Sequence, residues 1–61
     1  MENNITIMKY RIGNQYFFKV LDKFDIPDEA ERLDEMIRVS KELAAQHEDY
    51  EQLWIKNTPI I

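Results

Sequence analysis

The chain has 61 residues, no cysteine and a single histidine, and it carries a formal charge of −4. At this size an apolar core alone rarely holds a fold securely. Without thiols, disulfides and thiolate metal sites are excluded, and one imidazole leaves little for a histidine metal site. Hydrophobic residues make up 44% and charged residues 33%, the balance of a folded chain rather than a disordered one. The net negative charge argues against non-specific nucleic-acid binding by the whole molecule.

No run of about 20 apolar residues is present, so no membrane-spanning helix is expected. Met1-Glu2-Asn3-Asn4 is acidic and polar, the reverse of a secretion signal. These features predict a cytoplasmic location, or delivery into a cytoplasm. Asn4-Ile5-Thr6 matches a glycosylation acceptor formally; without a secretion signal we treat the match as chance.

The pattern predicts one small α+β domain over 1–61. Its first element is a β-hairpin over 4–22. Residues 4–12 and 15–22 are rich in β-branched and aromatic side chains, and Gly13-Asn14 between them suits a two-residue turn with a positive φ at Gly13. That turn pairs Ile12 with Gln15, Tyr10 with Phe17 and Met8 with Lys19. One face then carries Met8, Tyr10, Ile12, Phe17 and Leu21. The other carries Lys9, Arg11, Tyr16, Phe18 and Val20. Helical spacing of Phe17, Val20, Leu21 and Phe24 offers a second-ranked reading of 16–24 as a short helix.

Asp25-Ile26-Pro27-Asp28 punctuates the chain. Pro27 is tolerated in a first helical turn, and Asp25 and Asp28 can accept from orphan N–H groups. The main amphipathic helix is expected over 27–46, long or broken. Ala30, Leu33, Ile37, Ser40 and Ala44 share its apolar face, flanked by Met36, Leu43 and His47. Residues 49–56 are expected to continue that helix or to form a second short one, capped by Asp49 with Gln52. A third strand over 52–56 is the less favoured alternative. In a continuous helix, Leu33, Met36, Ser40, Leu43, His47, Tyr50 and Trp54 form a heptad seam. Pro59 ends regular structure before the apolar Ile60-Ile61.

Charge is uneven along the chain. Residues 1–24 hold four cations against two acids, and residues 25–61 hold ten acids against four cations. The sharpest patch is 25–35, where Asp25, Asp28, Glu29, Glu31, Asp34 and Glu35 face only Arg32. On a helical wheel Asp28, Glu31, Glu35 and Glu42 fall on one stripe, with carboxylates roughly 5–6 Å apart. Such a row is either a solvated face, stabilising the helix N-terminus and pairing with Arg32, Arg38 or Lys41, or a docking surface for a basic partner.

No phosphate loop, zinc-protease motif or calcium loop is present. Ser40 and His47 lie seven residues apart, too far for a nucleophile–base pair on one helix. The paired carboxylates sit on a convex face rather than in a water-poor cleft. We therefore expect no enzyme activity, cofactor, metal or small-molecule substrate. Lys9, Arg11, Tyr16 and Phe18 on one hairpin face combine charge with rings, as single-strand binders do. A packing role against a helix or second subunit is the preferred reading.

The hairpin face not covered by the helix shows Ile5, Ile7, Tyr16, Phe18 and Val20, and Trp54 also needs cover. A symmetric homodimer is the expected solution, with Leu33, Met36, Leu43, Tyr50 and Trp54 as its helical interface. In size, acidity and lack of catalytic motifs the chain resembles small phage-type host-takeover proteins, among which DNA mimics recur. The resemblance is one of class and rests on Asp28, Glu31, Glu35 and Glu42 with their acidic neighbours. It implies a protein–protein inhibitor that blocks the DNA-binding surface of a basic host protein, such as a histone-like nucleoid protein. Asp25, Asp28, Glu29, Glu31, Asp34, Glu35 and Glu42 would form the partner-binding surface. The alternatives are a small transcriptional regulator that binds nucleic acid through Lys9, Arg11 and Lys19, and a helical dimerisation adaptor.

Overall fold

A computed structural model of the chain describes residues 4–59. The acidic N-terminal residues 1–3 and the Ile60-Ile61 tail lie outside the described residues. The elements run β1 (Ile5–Ile12), β2 (Gln15–Asp22), α1 (Glu29–Gln46) and β3 (Tyr50–Thr58). The strands form one antiparallel sheet in the order β2-β1-β3, and α1 packs across β1 and β3. The architecture is α+β.

The hairpin has the expected register. Ile12 pairs with Gln15, Tyr10 with Phe17 and Met8 with Lys19. Gly13 takes φ 60° and Asn14 keeps a negative φ, the pattern of a two-residue turn with glycine first. Residues 16–24 are therefore not a helix. A Cβ on Gly13 would lie 2.9 Å from Asp49 Oδ2, so this position is constrained by space as well as by φ.

Strand alternation divides the sheet into two faces. Thr6 and Met8 are fully buried beneath α1, opposite the fully buried Met36. Tyr10 continues that face, stacking on Phe17 with ring centroids 5.4 Å apart and meeting Tyr50 at 5.7 Å. Ile5, Ile7, Lys9 and Arg11 point the other way, where no element of the described residues covers them.

α1 begins just after Pro27 and Asp28 rather than at the proline itself. Asp28 is its N-cap, accepting from the Ala30 N–H at 2.8 Å. Asp25 takes no part in the cap. Its carboxylate accepts from the Asp22 N–H at 3.1 Å, inside the β2–α1 loop. The buried face of α1 centres on Arg32 and Met36, with Leu33, Ser40 and Leu43 half-buried. Ala30, Ile37 and Ala44 are exposed, so the inward face is rotated by roughly 80° from the one the apolar spacing suggested.

The helix stops at His47, whose N–H still bonds Leu43 O at 2.9 Å. Residues 49–56 neither continue α1 nor form a second helix; they belong to the turn before β3 and to β3 itself. The Gly13 N–H donates to Asp49 O at 3.2 Å, which docks the α1–β3 turn onto the hairpin turn and aims β3 along β1. Across the pair, Lys9 faces Trp54 and Tyr10 faces Gln52, leaving Leu53 as an extra residue in a β-bulge. Gln52 secures the bulge, its Nε2 donating to Trp54 O at 3.0 Å and Lys9 O at 3.2 Å.

The heptad seam therefore does not form. Leu33, Met36 and Leu43 face the sheet of their own chain. Tyr50 and Trp54 sit on β3, Tyr50 on the helix side against Tyr10 and Trp54 on the open side against Phe18. Of the five residues expected at a helical interface, Trp54 is the one on a surface that no element of the described residues covers.

Candidate functional site

Two surfaces stand out once the chain is folded. The first is an acidic pole built by the β2–α1 loop and the first turns of α1. Asp22 Oδ1 accepts from the Phe24 N–H at 2.9 Å and the Asp25 N–H at 3.0 Å, and the Asp25 carboxylate accepts in return from Asp22 N. These reciprocal bonds fold the loop tightly and push Phe24 outward, where it is 82% exposed. Lys23 Nζ lies 5.4 Å from the Phe24 ring centroid. Burying such a ring against a partner is worth about 1.5–3 kcal/mol. Asp25 follows it in the loop, and Asp28, Glu29, Glu31 and Asp34 come next along the chain, at the N-cap and in the first turns of α1.

The sequence offers Arg32 to neutralise this patch, and the fold withdraws it. Arg32 is fully buried. Its Nε donates to Thr6 Oγ1 at 3.0 Å, and its Nη1 donates to Ile26 O at 2.8 Å and Pro27 O at 3.1 Å. The polar chain continues outward. Thr6 donates to Asn57 Oδ1, and Asn57 Nδ2 donates to Glu29 Oε1 at 3.2 Å. The guanidinium thus ties β1, the loop and α1 together from inside, and the outer surface of this end presents carboxylates.

Further along α1 the row of carboxylates is partly neutralised, one arginine serving two acids. Arg38 forms a two-point contact with Glu35, Nε to Oε1 at 2.8 Å and Nη2 to Oε2 at 2.6 Å. Its Nη1 reaches Glu42 Oε1 at 2.5 Å. Hydrogen bonding from Arg38, aided by its charge, holds the Glu35 carboxyl below its ordinary value, and the pair raises the Arg38 guanidinium in turn. The stripe Asp28, Glu31, Glu35, Glu42 is therefore not a uniform row. Glu35 and Glu42 spend their charge on Arg38, while Asp28 caps the helix and Glu31 stands free of any ion pair among the described residues. Asp49, which would extend the stripe on a longer helix, lies instead in the α1–β3 turn.

The second surface is the open face of the sheet. By strand register it is a grid of four rows: Asp22, Ile5, Thr58; Val20, Ile7, Lys56; Phe18, Lys9, Trp54; and Tyr16, Arg11, Glu51. Tyr16, Phe18 and Val20 are each more than half exposed. Phe18 and Trp54 approach to 6.1 Å across β1. Lys9 Nζ lies between two rings, 5.3 Å from Tyr16 and 5.4 Å from Phe18, and Lys56 Nζ lies 4.6 Å from Trp54. Arg11 pairs with Glu51 at 2.6 Å and also donates to Gly13 O. Lys19, expected to join Lys9 and Arg11 in a basic hairpin, sits on the opposite face beside α1, where its charge also favours the ionised form of Glu35.

No enclosed pocket and no metal-binding cluster occur among the described residues. No helix there is long and apolar enough to cross a membrane. Comparison with protein-family models, curated proteins and solved structures finds no match. The sequence pattern did not reveal the places of Arg32 and Phe24, nor that Glu51, Trp54 and Lys56 join the open face. Arg32 lies in step with Met36 and Leu43 and could be found only by knowing which side of α1 meets the sheet. Phe24 is a lone aromatic among loop acids and is visible as such in the sequence.

Proposed function

We propose that the protein is a non-enzymatic, protein-binding inhibitor whose acidic pole takes the place of nucleic-acid phosphates on the DNA-binding surface of a basic protein, acting in the cytoplasm where such partners reside. A histone-like nucleoid protein is the type of partner this chemistry fits. One observation carries the reading: Phe24 stands exposed in the loop that opens the acidic stretch 25–35, while Arg32, the one arginine of that stretch, is turned inward. A solvated acidic face does not need an exposed phenylalanine beside it. An interface does, because an aromatic anchor surrounded by charge supplies affinity at its middle and steering at its rim.

The mechanism is competition. Asp25, Asp28, Glu29, Glu31 and Asp34 face lysine and arginine side chains that otherwise hold phosphates, and Phe24 enters an apolar gap between them. Glu35 and Glu42 contribute less, because Arg38 already screens them. Binding weakens as salt rises, since the rim contacts are solvent-exposed ion pairs.

The test is displacement of a labelled DNA duplex from a purified histone-like protein across a salt series. Reversing two pole charges with Glu31→Lys and Asp34→Lys sets like charges opposite each other. The cost is several kcal/mol, on the order of a 100-fold loss of inhibition or more. Phe24→Ser lowers affinity at high salt as well as low. Inhibition by the double variant equal to that of the parent, with the helix intact by circular dichroism, refutes the reading.

A further inference from the structure

We propose that the open face of the sheet is the seat of a second copy of this chain, related by a two-fold axis that runs across the strands between the rows of Ile7 and Lys9. This goes beyond the acidic pole, which lies elsewhere, and either can fail without the other.

The face is apolar where a one-sided antiparallel sheet would ordinarily be polar. Ile5, Ile7, Tyr16, Phe18, Val20 and Trp54 form a continuous patch, and burying it is the favourable step. Its ionisable groups are Lys9, Arg11 and Lys56 against Asp22 and Glu51. Arg11 is already bound to Glu51, and both lysines rest over rings. The face therefore sums to a net charge of only +1, little attraction for a polyphosphate. An apolar patch with so little net charge favours a second copy over nucleic acid.

Charge also selects the geometry. A two-fold parallel to the strands would stack β1 on itself, setting Lys9 against Lys9 of the partner subunit and Arg11 against Arg11 of the partner subunit. A two-fold across the strands inverts the rows. Val20 then faces Phe18 of the partner subunit, Ile7 faces the aliphatic stem of Lys9 of the partner subunit, and Lys56 faces Trp54 of the partner subunit. Each cation meets a ring or a hydrocarbon, and no like charges are directly opposed. Two sheets pack this way about 10 Å apart. Strands of 8 residues give a footprint of about 26 Å by about 14 Å, on the order of 400 Å² per copy. The two copies together bury about 800 Å², less than a standard stable interface, so the dimer is weak, transient and concentration-dependent.

Trp54 is the only tryptophan of the chain and reports the event directly. The full-length protein is followed by sedimentation velocity and by Trp54 emission over concentrations from about 1 μM to about 0.5 mM, spanning the micromolar range. The expected result is a monomer–dimer transition with a blue shift of emission over the same range. Phe18→Asp abolishes both. Val20→Lys, at a second exposed position, weakens association at least tenfold, so one badly folded variant does not decide the outcome. A single monomeric species throughout overturns the proposal. So does a dimer unaffected by both substitutions. Quenching of Trp54 by a single-stranded oligonucleotide at low salt, without self-association, also overturns it and assigns the face to nucleic acid instead.

Discussion

Replacing Arg32 by methionine tests the most unusual feature of the interior. Among its bonds, the guanidinium gives one to Thr6 Oγ1 and two to the carbonyls of Ile26 and Pro27. Bonds from a charged donor are worth about 1.5–3 kcal/mol each. Against them stands the cost of dehydrating a buried cation, which is several kcal/mol and disappears in the methionine variant. These two terms largely offset. What remains is the state of the abandoned acceptors. Thr6 keeps its bond to Asn57, whereas Ile26 O and Pro27 O lose the partner they share. An unsatisfied carbonyl costs about 1–3 kcal/mol, and both sites are only part-buried, so water recovers some of it. A net loss of about 2 kcal/mol follows. For a domain of this size that lowers the melting temperature by roughly 8–16 °C. It is also a large fraction of a total stability of about 3–9 kcal/mol. Thermal and urea unfolding followed by circular dichroism measure it. Faster hydrogen exchange at Ile26, whose N–H bonds Asp22 O at 3.1 Å, locates the damage in the β2–α1 loop. A methionine variant as stable as the parent refutes the argument, and shows that the loop is held by its own aspartates.

Two further substitutions probe the fold. Gly13→Ala forces a side chain into φ 60° beside Asp49 and costs about 1–2 kcal/mol, read as a lower urea midpoint with an unchanged slope. Arg38→Met releases Glu35, whose carboxyl is held below its ordinary 4.5. A depressed carboxyl stabilises the fold above its unfolded value and loses that contribution as pH falls through the folded one. The parent therefore exceeds Arg38→Met in stability at neutral pH, and the gap closes in acid below pH 4.5; a gap independent of pH contradicts the assignment. The pole reversal Glu31→Lys with Asp34→Lys and the interface variant Phe18→Asp bear on separate surfaces, so the first leaves self-association intact.

Much of the hairpin was readable because its signals are local. Gly13-Asn14 sets the turn, the turn sets the register, and a register with period two sets both faces. The start of α1 was readable for the same reason, since Pro27 and Asp28 act within one turn of themselves. The pattern misled where a segment's partner is distant. Residues 50–58 have helical spacing in Tyr50, Leu53 and Trp54, and no glycine or proline ends α1 before them. Only pairing with β1, anchored by Gly13 N–H to Asp49 O, makes them a strand.

The candidate surfaces divide along the same line. Composition placed the acids on residues 25–35, and their charge repels anions whatever the fold. Tertiary structure decided which of those charges stay available. It turned Arg32 inward and set Arg38 between Glu35 and Glu42. It also carried Trp54 to the open sheet face beside Phe18. Turns, caps and strand alternation act over a few residues of chain, so the order of residues alone determined them here. Which side chains meet, and which are left facing water, depends on the angle at which α1 crosses the sheet, and that angle comes from packing between residues far apart in sequence.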